Sequence, residues 1–137
     1  MYARLFAALT LALAGCASMA AAAEPEGDWR LTAIDGAPVI AGSHPSLRLD
    51  ASRASGSGSC NAFGADVATV SDQLVFSRMI STMMACADTN GANVMAQEHA
   101  YLGALDAPLR VSMPEPDQLV LSAADGRTLA FTRAETH

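Results

Sequence analysis

From Gly27 onward the chain consists of short segments in which apolar and polar residues alternate, with turn residues between them. Trp29 and Leu31 open this series, and Leu47 and Leu49 continue it. An apolar residue at every second position is typical of a strand that buries one face. Because the segments and their connections are both short, the pattern predicts a mostly antiparallel sheet.

Six further strands are predicted along the chain, and a strong hairpin signal, Ala124-Asp125-Gly126, separates the last two. Within the first of them serine alternates with glycine, and glycine in a strand usually marks a bulge, a sharp bend or a close approach of backbones. The six strands are Arg53–Ser59, residues 60–70, Gln73–Ser77, Leu109–Met113, Gln118–Ala123 and Arg127–Arg133.

One helix interrupts the strands. The run Asp88-Thr89-Asn90-Gly91 offers capping residues, and Asp106-Ala107-Pro108 ends the periodic segment. We expect the helix from about Ala92 to Leu105, with its apolar members facing the core. The residues near a 3.6-residue period are Val94, Met95, Glu98, Tyr101, Leu102 and Leu105.

This series of strands predicts a fold that is mainly β with one α-helix, a small antiparallel β-barrel or sandwich. A barrel of about eight strands is either filled by side chains or holds one small ligand. The side chains predicted to face inward are bulky, so we expect a filled interior. They are Trp29, Leu31, Leu47, Leu49, Phe63, Leu74, Phe76, Leu119, Leu121, Leu129 and Phe131.

The N-terminus has the pattern of a bacterial lipoprotein leader. Arg4 precedes an apolar run, Leu5 to Ala14, that is shorter than the roughly 20 residues of a membrane-spanning helix. Leu13-Ala14-Gly15-Cys16 follows and resembles the lipobox, which implies that Cys16 is the lipidated first residue of the mature chain. The alternative is cleavage after Ala21-Ala22-Ala23, which would release a soluble periplasmic protein.

The leader divides the chain into three parts. Residues 1–15 are predicted to be the signal peptide, residues 16–27 the lipidated N-terminus and a flexible tether, and residues 28–137 the folded domain. We expect acylated Cys16 to hold the protein in a lipid bilayer of the bacterial envelope. Ala17 resembles the outer-membrane sorting pattern, so the expected location is the outer membrane, facing the periplasm.

Charge limits the partners. The chain has fourteen acidic residues against eight basic ones, all arginine, and its formal charge is -6. Nucleic acid is excluded as a partner because phosphate binding needs a concentrated positive surface. Removal of residues 1–15 would take away one arginine and no acid, which leaves -7. Such a charge favours a cationic partner.

If Cys16 takes lipid, Cys60 and Cys86 remain as a pair. An even pair in an oxidising compartment predicts a disulfide, and closing the loop between them contributes about 3–4 kcal/mol on the chain-entropy model. The alternative is two buried free thiols that pack as small hydrophobes.

The order and spacing of these segments resemble the META domain family, which includes the HslJ-type heat-shock lipoproteins. Residues 27–39 are similar to the family's opening strand and turn, and residues 98–105 and 119–131 to its helix and closing hairpin. Gly58-Ser59-Cys60-Asn61 resembles its Gly-Cys-Asn segment, and Thr82-Met83-Met84-Ala85-Cys86 its Thr-x-Met-Ala-Cys segment. The family-motif residues are Trp29, Gly58, Asn61, Thr82 and Met84.

The resemblance implies a lipocalin-like META fold in the bacterial envelope, and the family has no established catalytic residues to carry over. The chain departs from the family pattern at two positions. Ser59 stands where glycine is usual, which puts a positive φ there in doubt, and Met83 stands where arginine is common.

A hydrolytic triad is the first competing interpretation. His44 could be combined with a serine and an aspartate, and His99 and His137 are the other histidines. The chain lacks the Gly-x-Ser-x-Gly motif that would support a serine nucleophile. We therefore predict no enzyme and no catalytic residue.

A copper site is the second competing interpretation, because soft sulfur ligands select Cu(I). Met79, Met83, Met84 and Cys86 lie within eight positions, but methionine often fills gaps in cores, and a disulfide-bonded Cys86 cannot bind as a thiolate. We predict no metal and no cofactor.

Together these features predict a non-catalytic envelope lipoprotein with a structural or stress-related role. The alternative is an envelope protein-binding module, or an inhibitor of a hydrolase such as lysozyme. In that case the partner is an envelope or foreign protein. The oligomeric state stays open.

Overall fold

A computed structural model describes Gly15 and residues 24–86 and 91–135. This part of the chain forms nine strands and one helix, α1 (Gly91–Leu105), which lies between the sixth and seventh strands. The strands are β1 (Gly27–Ile34), β2 (Ala37–Pro38), β3 (Ser46–Leu49), β4 (Arg53–Ser57), β5 (Ala62–Val70), β6 (Gln73–Ser81), β7 (Leu109–Ser112), β8 (Gln118–Ser122) and β9 (Thr128–Arg133).

The sheet is antiparallel and closes on itself. Hydrogen-bonded neighbours run from β1 to β3 and then in sequence order to β9, and β9 pairs back with β1. The two residues of β2 pair with the end of β1, outside the ring, so the barrel has eight strands. Closure pairs the backbone of strands that would otherwise be edges. The fold is therefore a barrel and not a sandwich.

The barrel interior is filled. All eleven side chains predicted to face inward are buried, with exposed fractions of 6% or less. Tyr101 of α1 adds a ring that contacts Phe63 at 5.8 Å and Phe131 at 6.1 Å between centroids. Aromatic rings at such distances attract each other beyond their burial. The prediction of a filled interior is confirmed.

Helix α1 lies across one end of the barrel. The Tyr101 hydroxyl donates to the backbone oxygen of Ser46, the first residue of β3, at 3.0 Å. Gln97 accepts from the backbone N–H of Ile40 at 2.7 Å and donates to Ser43 Oγ at 3.0 Å. Burial raises the pKa of Tyr101, so its hydroxyl remains a neutral donor. These contacts tie the helix to the loop before β3.

Strand β6 continues to Ser81, beyond its predicted end at Ser77. The extension contains a β-bulge, in which the register with β5 shifts and Arg78 adopts a positive φ of 49°. The carboxylate of Asp66 pairs with Arg78 and, at 2.9 Å, with Arg53. A β-bulge interrupts the period of two in a strand. The alternation of apolar and polar residues therefore ends before the strand itself ends.

Candidate functional site

Four of the five family-motif residues meet at the end of the barrel that α1 covers. Gly58 and Asn61 lie in the connection from β4 to β5, and Thr82 and Met84 lie in the segment that follows β6. Glu98 of α1 lies against the first of these segments, where it accepts hydrogen bonds from Asn61. We refer to Asn61, Thr82, Met84 and Glu98 together as the Asn61 hub.

The side chain of Asn61 is the centre of this hub. Its Nδ2 donates to Glu98 Oε2 at 2.7 Å and to the backbone oxygen of Met84 at 3.1 Å. Its Oδ1 accepts from Thr82 Oγ1 at 2.9 Å and from the backbone N–H of Met84 at 2.5 Å. One buried amide thus connects the β4–β5 loop, the segment after β6 and the helix. Full hydrogen bonding is what a buried polar group requires.

Glu98 is 2% exposed, and both of its carboxylate oxygens accept bonds from Asn61, one from the side chain and one from the backbone N–H at 2.7 Å. The sequence pattern places Glu98 on the apolar stripe of the helix, and the family motif does not include it. The signal was its position, since an acidic residue within an apolar helix stripe faces the core and needs a buried donor.

Gly58 makes room for the carboxylate. A Cβ added at this position would overlap the side chain of Glu98. The backbone N–H of Gly58 donates to the backbone oxygen of Asn61 at 2.8 Å, which closes the turn that presents Asn61. The family motif therefore requires glycine at this position because the Glu98 side chain approaches its backbone closely. A close approach is one of the roles predicted for glycine in this segment.

The two paired cysteines bracket the hub. The sulfur atoms of Cys60 and Cys86 lie at disulfide distance, and their Cα atoms are 5.5 Å apart, within the usual range for a bridge. Cys60 directly precedes Asn61, and Cys86 lies two residues after Met84. Cross-link and hub therefore restrain the same two segments.

Ser59, where the family usually has glycine, takes a positive φ of 100°. Its backbone N–H donates to Ser57 Oγ at 3.0 Å, and its hydroxyl accepts from the backbone N–H of His44 at 3.2 Å. A serine therefore occupies a conformation that favours glycine, and its hydroxyl gains a contact in return.

The outer side of the hub carries exposed apolar side chains. Met83 is 97% exposed, Met84 64% and Ile80 72%. We call Ile80, Met83 and Met84 the methionine ridge. A shallow groove of about 400 Å³ lies beside it, lined by residues 62–64 and 80–82. Large apolar residues exposed side by side often mark contact surfaces.

The fifth motif residue, Trp29, lies apart from the hub at the start of β1. Its Nε1–H donates to the backbone oxygen of Pro25 at 2.7 Å, and the guanidinium of Arg133 lies 4.2 Å from the ring centroid. Trp29 is 1% exposed. It anchors the chain where the barrel begins, so its part in the motif is structural.

The histidines of the competing triad lie at separate places. His44 and His99 are exposed, and His44 meets Ser59 through its backbone N–H rather than its imidazole. His137 lies outside the described residues. Within residues 24–86 and 91–135, no three His, Cys, Asp or Glu side chains come close enough to hold a metal ion.

The sulfur atoms proposed for copper are also separated in their roles. Met79 is partly buried against the core, whereas Met83 and Met84 are exposed. Cys86 lies at disulfide distance from Cys60. The structure thus gives these four residues three different surroundings.

Cys16, the predicted lipidation site, lies outside the described residues. In the part of the chain that the structure describes, no helix is long and apolar enough to cross a bilayer.

Comparison with known proteins agrees with the fold. The family model of the META domain matches residues 20–136. A solution structure of a protein from Burkholderia xenovorans superposes with a TM-score of 0.64 at 30% identity, covering 81% of this chain and 83% of that one. A second solution structure gives a TM-score of 0.61 at 22% identity, covering 78% and 88%, and shows the same fold. No curated protein matches this sequence.

Proposed function

Because the chain belongs to the META domain family, we propose that it is a non-catalytic lipoprotein of the bacterial envelope with a structural or stress-related role. The observation that carries the proposal is the Asn61 hub. The Asn61 side chain bonds Glu98, the Thr82 hydroxyl and the backbone of Met84, so its polar atoms hold the fold together and are not presented to a substrate. A core filled by side chains supports the same conclusion, because it leaves the outer surface for contacts with other molecules.

Anchoring is the second element of the proposal. The lipobox-like Leu13-Ala14-Gly15-Cys16 supports acylation at Cys16 after removal of residues 1–15. Each buried CH₂ of the acyl chains would contribute about 0.8 kcal/mol to membrane binding. Ala17 supports the outer membrane as the destination, with the barrel facing the periplasm.

The test of anchoring is Cys16→Ala in a diderm host, read by labelled palmitate and membrane fractionation. We expect the variant to lose the label and to leave the membrane fraction. Cys60→Ser is the matched control, because it also removes one thiol but should keep the label. A Cys16→Ala protein that is still acylated or still fractionates with membranes would contradict the lipid anchor.

A structural or stress-related role is tested by deleting the gene for this protein in the same host. The wild type and its variants are then reintroduced. We expect the deletion to weaken the envelope under heat, seen as leakage of a periplasmic enzyme, and the anchored wild type to restore it. If an anchored protein with Asn61→Ala, and hence a loosened hub, restores the envelope fully, the fold of the hub is not what the role requires.

Binding and inhibition of a cationic hydrolase is the second candidate. Two observations favour it: the charge of -7 predicted for the mature chain and the apolar methionine ridge beside a groove. Opposite charges speed encounter, and apolar surface stabilises the complex. The test is lysozyme activity at micromolar mature protein, with Met83→Asp as the variant. Inhibition that the variant loses supports this role, and unchanged lysozyme activity contradicts it.

A further inference from the structure

The methionines of the described chain fall into two groups. Met79, Met95 and Met113 are partly buried, and Met79 and Met113 pack against the core. Met83 and Met84 are 97% and 64% exposed. A flexible apolar side chain normally moves toward the core when it can, so two adjacent exposed thioethers need a structural cause.

The cause is the backbone. Both the N–H and the carbonyl oxygen of Met84 are bonded to the Asn61 side chain, at 2.5 and 3.1 Å. The Cys60–Cys86 pair restrains the same segment two residues later. Turning this segment inward would break the bonds between the Met84 backbone and Asn61.

From this geometry we propose that Met83 and Met84 form a site of reversible oxidation by peroxide-class oxidants. Each thioether sulfur gives two electrons and takes one oxygen atom from the peroxide, which forms the sulfoxide and leaves water. Susceptibility follows exposure, and sulfoxides are returned to thioethers by methionine sulfoxide reductases. This oxidation site lies on the folded barrel and does not depend on the proposed lipid anchor.

Oxidation at this site changes a surface without dismantling the barrel. Sulfoxide formation turns an apolar side chain into a polar one, so the methionine ridge would lose most of its apolar character. The bonds that hold Met84 use its backbone and not its sulfur. Oxidation of Met79 or Met113, in contrast, would place a polar sulfoxide against the core.

The experiment treats the folded mature protein with dilute hydrogen peroxide and follows each methionine by peptide mass mapping. We expect Met83 and Met84 to oxidise roughly tenfold faster than Met79 and Met113, since exposure controls access of the oxidant. Equal rates at all four positions would overturn the proposal. Adding methionine sulfoxide reductases should then remove the oxygen from Met83 and Met84, and failure to do so would overturn its reversibility.

A pair of double variants tests the separation of surface and core. In the wild type, early oxidation should lower retention on a phenyl column and leave the melting temperature unchanged. The variant with Met83→Leu and Met84→Leu should keep its retention after the same treatment, whereas Met79→Leu with Met113→Leu should lose retention as the wild type does. If the first variant loses retention on oxidation as the wild type does, the reactive sulfurs lie elsewhere and the proposal fails.

Discussion

Two regions of this barrel are held by polar contacts, and they differ in whether water can compete. At the centre of the Asn61 hub an amide and a carboxylate are buried, with Asn61 7% and Glu98 2% exposed. At the start of β1, Arg48 and Asp28 form an ion pair at 3.2 Å with side chains that are 67% and 45% exposed. A buried group that loses its partner keeps its full desolvation penalty, whereas an exposed one bonds to water instead. The burial of a polar contact is therefore a better guide to its contribution to stability than the number of such contacts.

The largest effect is expected from Asn61→Ala. The variant leaves the Glu98 carboxylate buried with its side-chain donor removed, and it frees the backbone of Met84. We expect the free energy of unfolding to fall by about 3–5 kcal/mol. Denaturant unfolding of the mature domain measures this, and a loss below about 1 kcal/mol would show that water replaces Asn61 and that the two regions do not differ.

The next effect is expected from breaking the cross-link beside the hub. Cys60→Ser combined with Cys86→Ser should lower stability by about 3–4 kcal/mol, because the unfolded chain regains the entropy of the open loop. Urea unfolding gives the loss, and reducing the wild type should give the same value. Alkylation of the unreduced wild type, followed by mass measurement, should find no reactive thiol at Cys60 or Cys86. Labelled thiols there would contradict the bridge.

Gly58→Ala tests the close approach in the hub. Its new Cβ would overlap Glu98, and we expect a loss of about 1–3 kcal/mol, as in other overpacked cores. Gly103→Ala is the matched control, because a Cβ there meets no atom within 4 Å and the residue lies inside α1. The control should gain about 0.5–1 kcal/mol from helix propensity. Equal effects of the two changes would mean that Glu98 moves aside freely.

Ser59→Gly should stabilise the protein. Glycine takes the positive φ of 100° without strain, and the variant loses only the hydroxyl contact to His44. We expect a net gain of about 1 kcal/mol. Ser59→Ala separates the effect of the hydroxyl contact from the effect of the backbone strain. It loses the hydroxyl and keeps the strain, so it should be less stable than wild type. Thermal melting ranks the three proteins, and the order Gly, Ser, Ala is the expected one.

The smallest effect is expected at the start of β1. Asp28→Asn removes the charge that faces Arg48, and stability should change by less than about 0.5 kcal/mol because both side chains reach water. Unfolding at low and high salt gives the electrostatic part. A loss comparable to that of Asn61→Ala would remove the contrast between the regions.

Much of the fold follows from the alternation of apolar residues. Leu119 and Leu121, or Leu129 and Phe131, lie inside because every second side chain of a strand shares one face. The extension of β6 was missed, since the bulge at Arg78 and Met79 breaks that alternation. The ring closure by β1 and β9 is a long-range pairing, and the local pattern is compatible with a barrel or a sandwich.

The prediction of the site residues rests on the resemblance to the family and not on the chemistry of their side chains. The resemblance names Gly58, Asn61, Thr82 and Met84, whereas the pattern places Glu98, the buried partner of Asn61, only on the helix stripe. Asn61 and Glu98 are 37 positions apart, and local periodicity carries no information on which distant polar groups meet. The sequence does not determine the positive φ of Ser59, because neighbouring residues do not fix it.

By itself, the sequence determined which bulky side chains of the strands face the interior and where the turns and the helix lie. Those properties depend on residue type and on spacing within one segment, which a strand or helix converts directly into a face. Only the tertiary structure decided that an amide and a carboxylate share one buried site and that two methionines are kept outside it. Such outcomes depend on packing segments distant in sequence, where the need to satisfy buried polar atoms selects among arrangements that are locally equivalent.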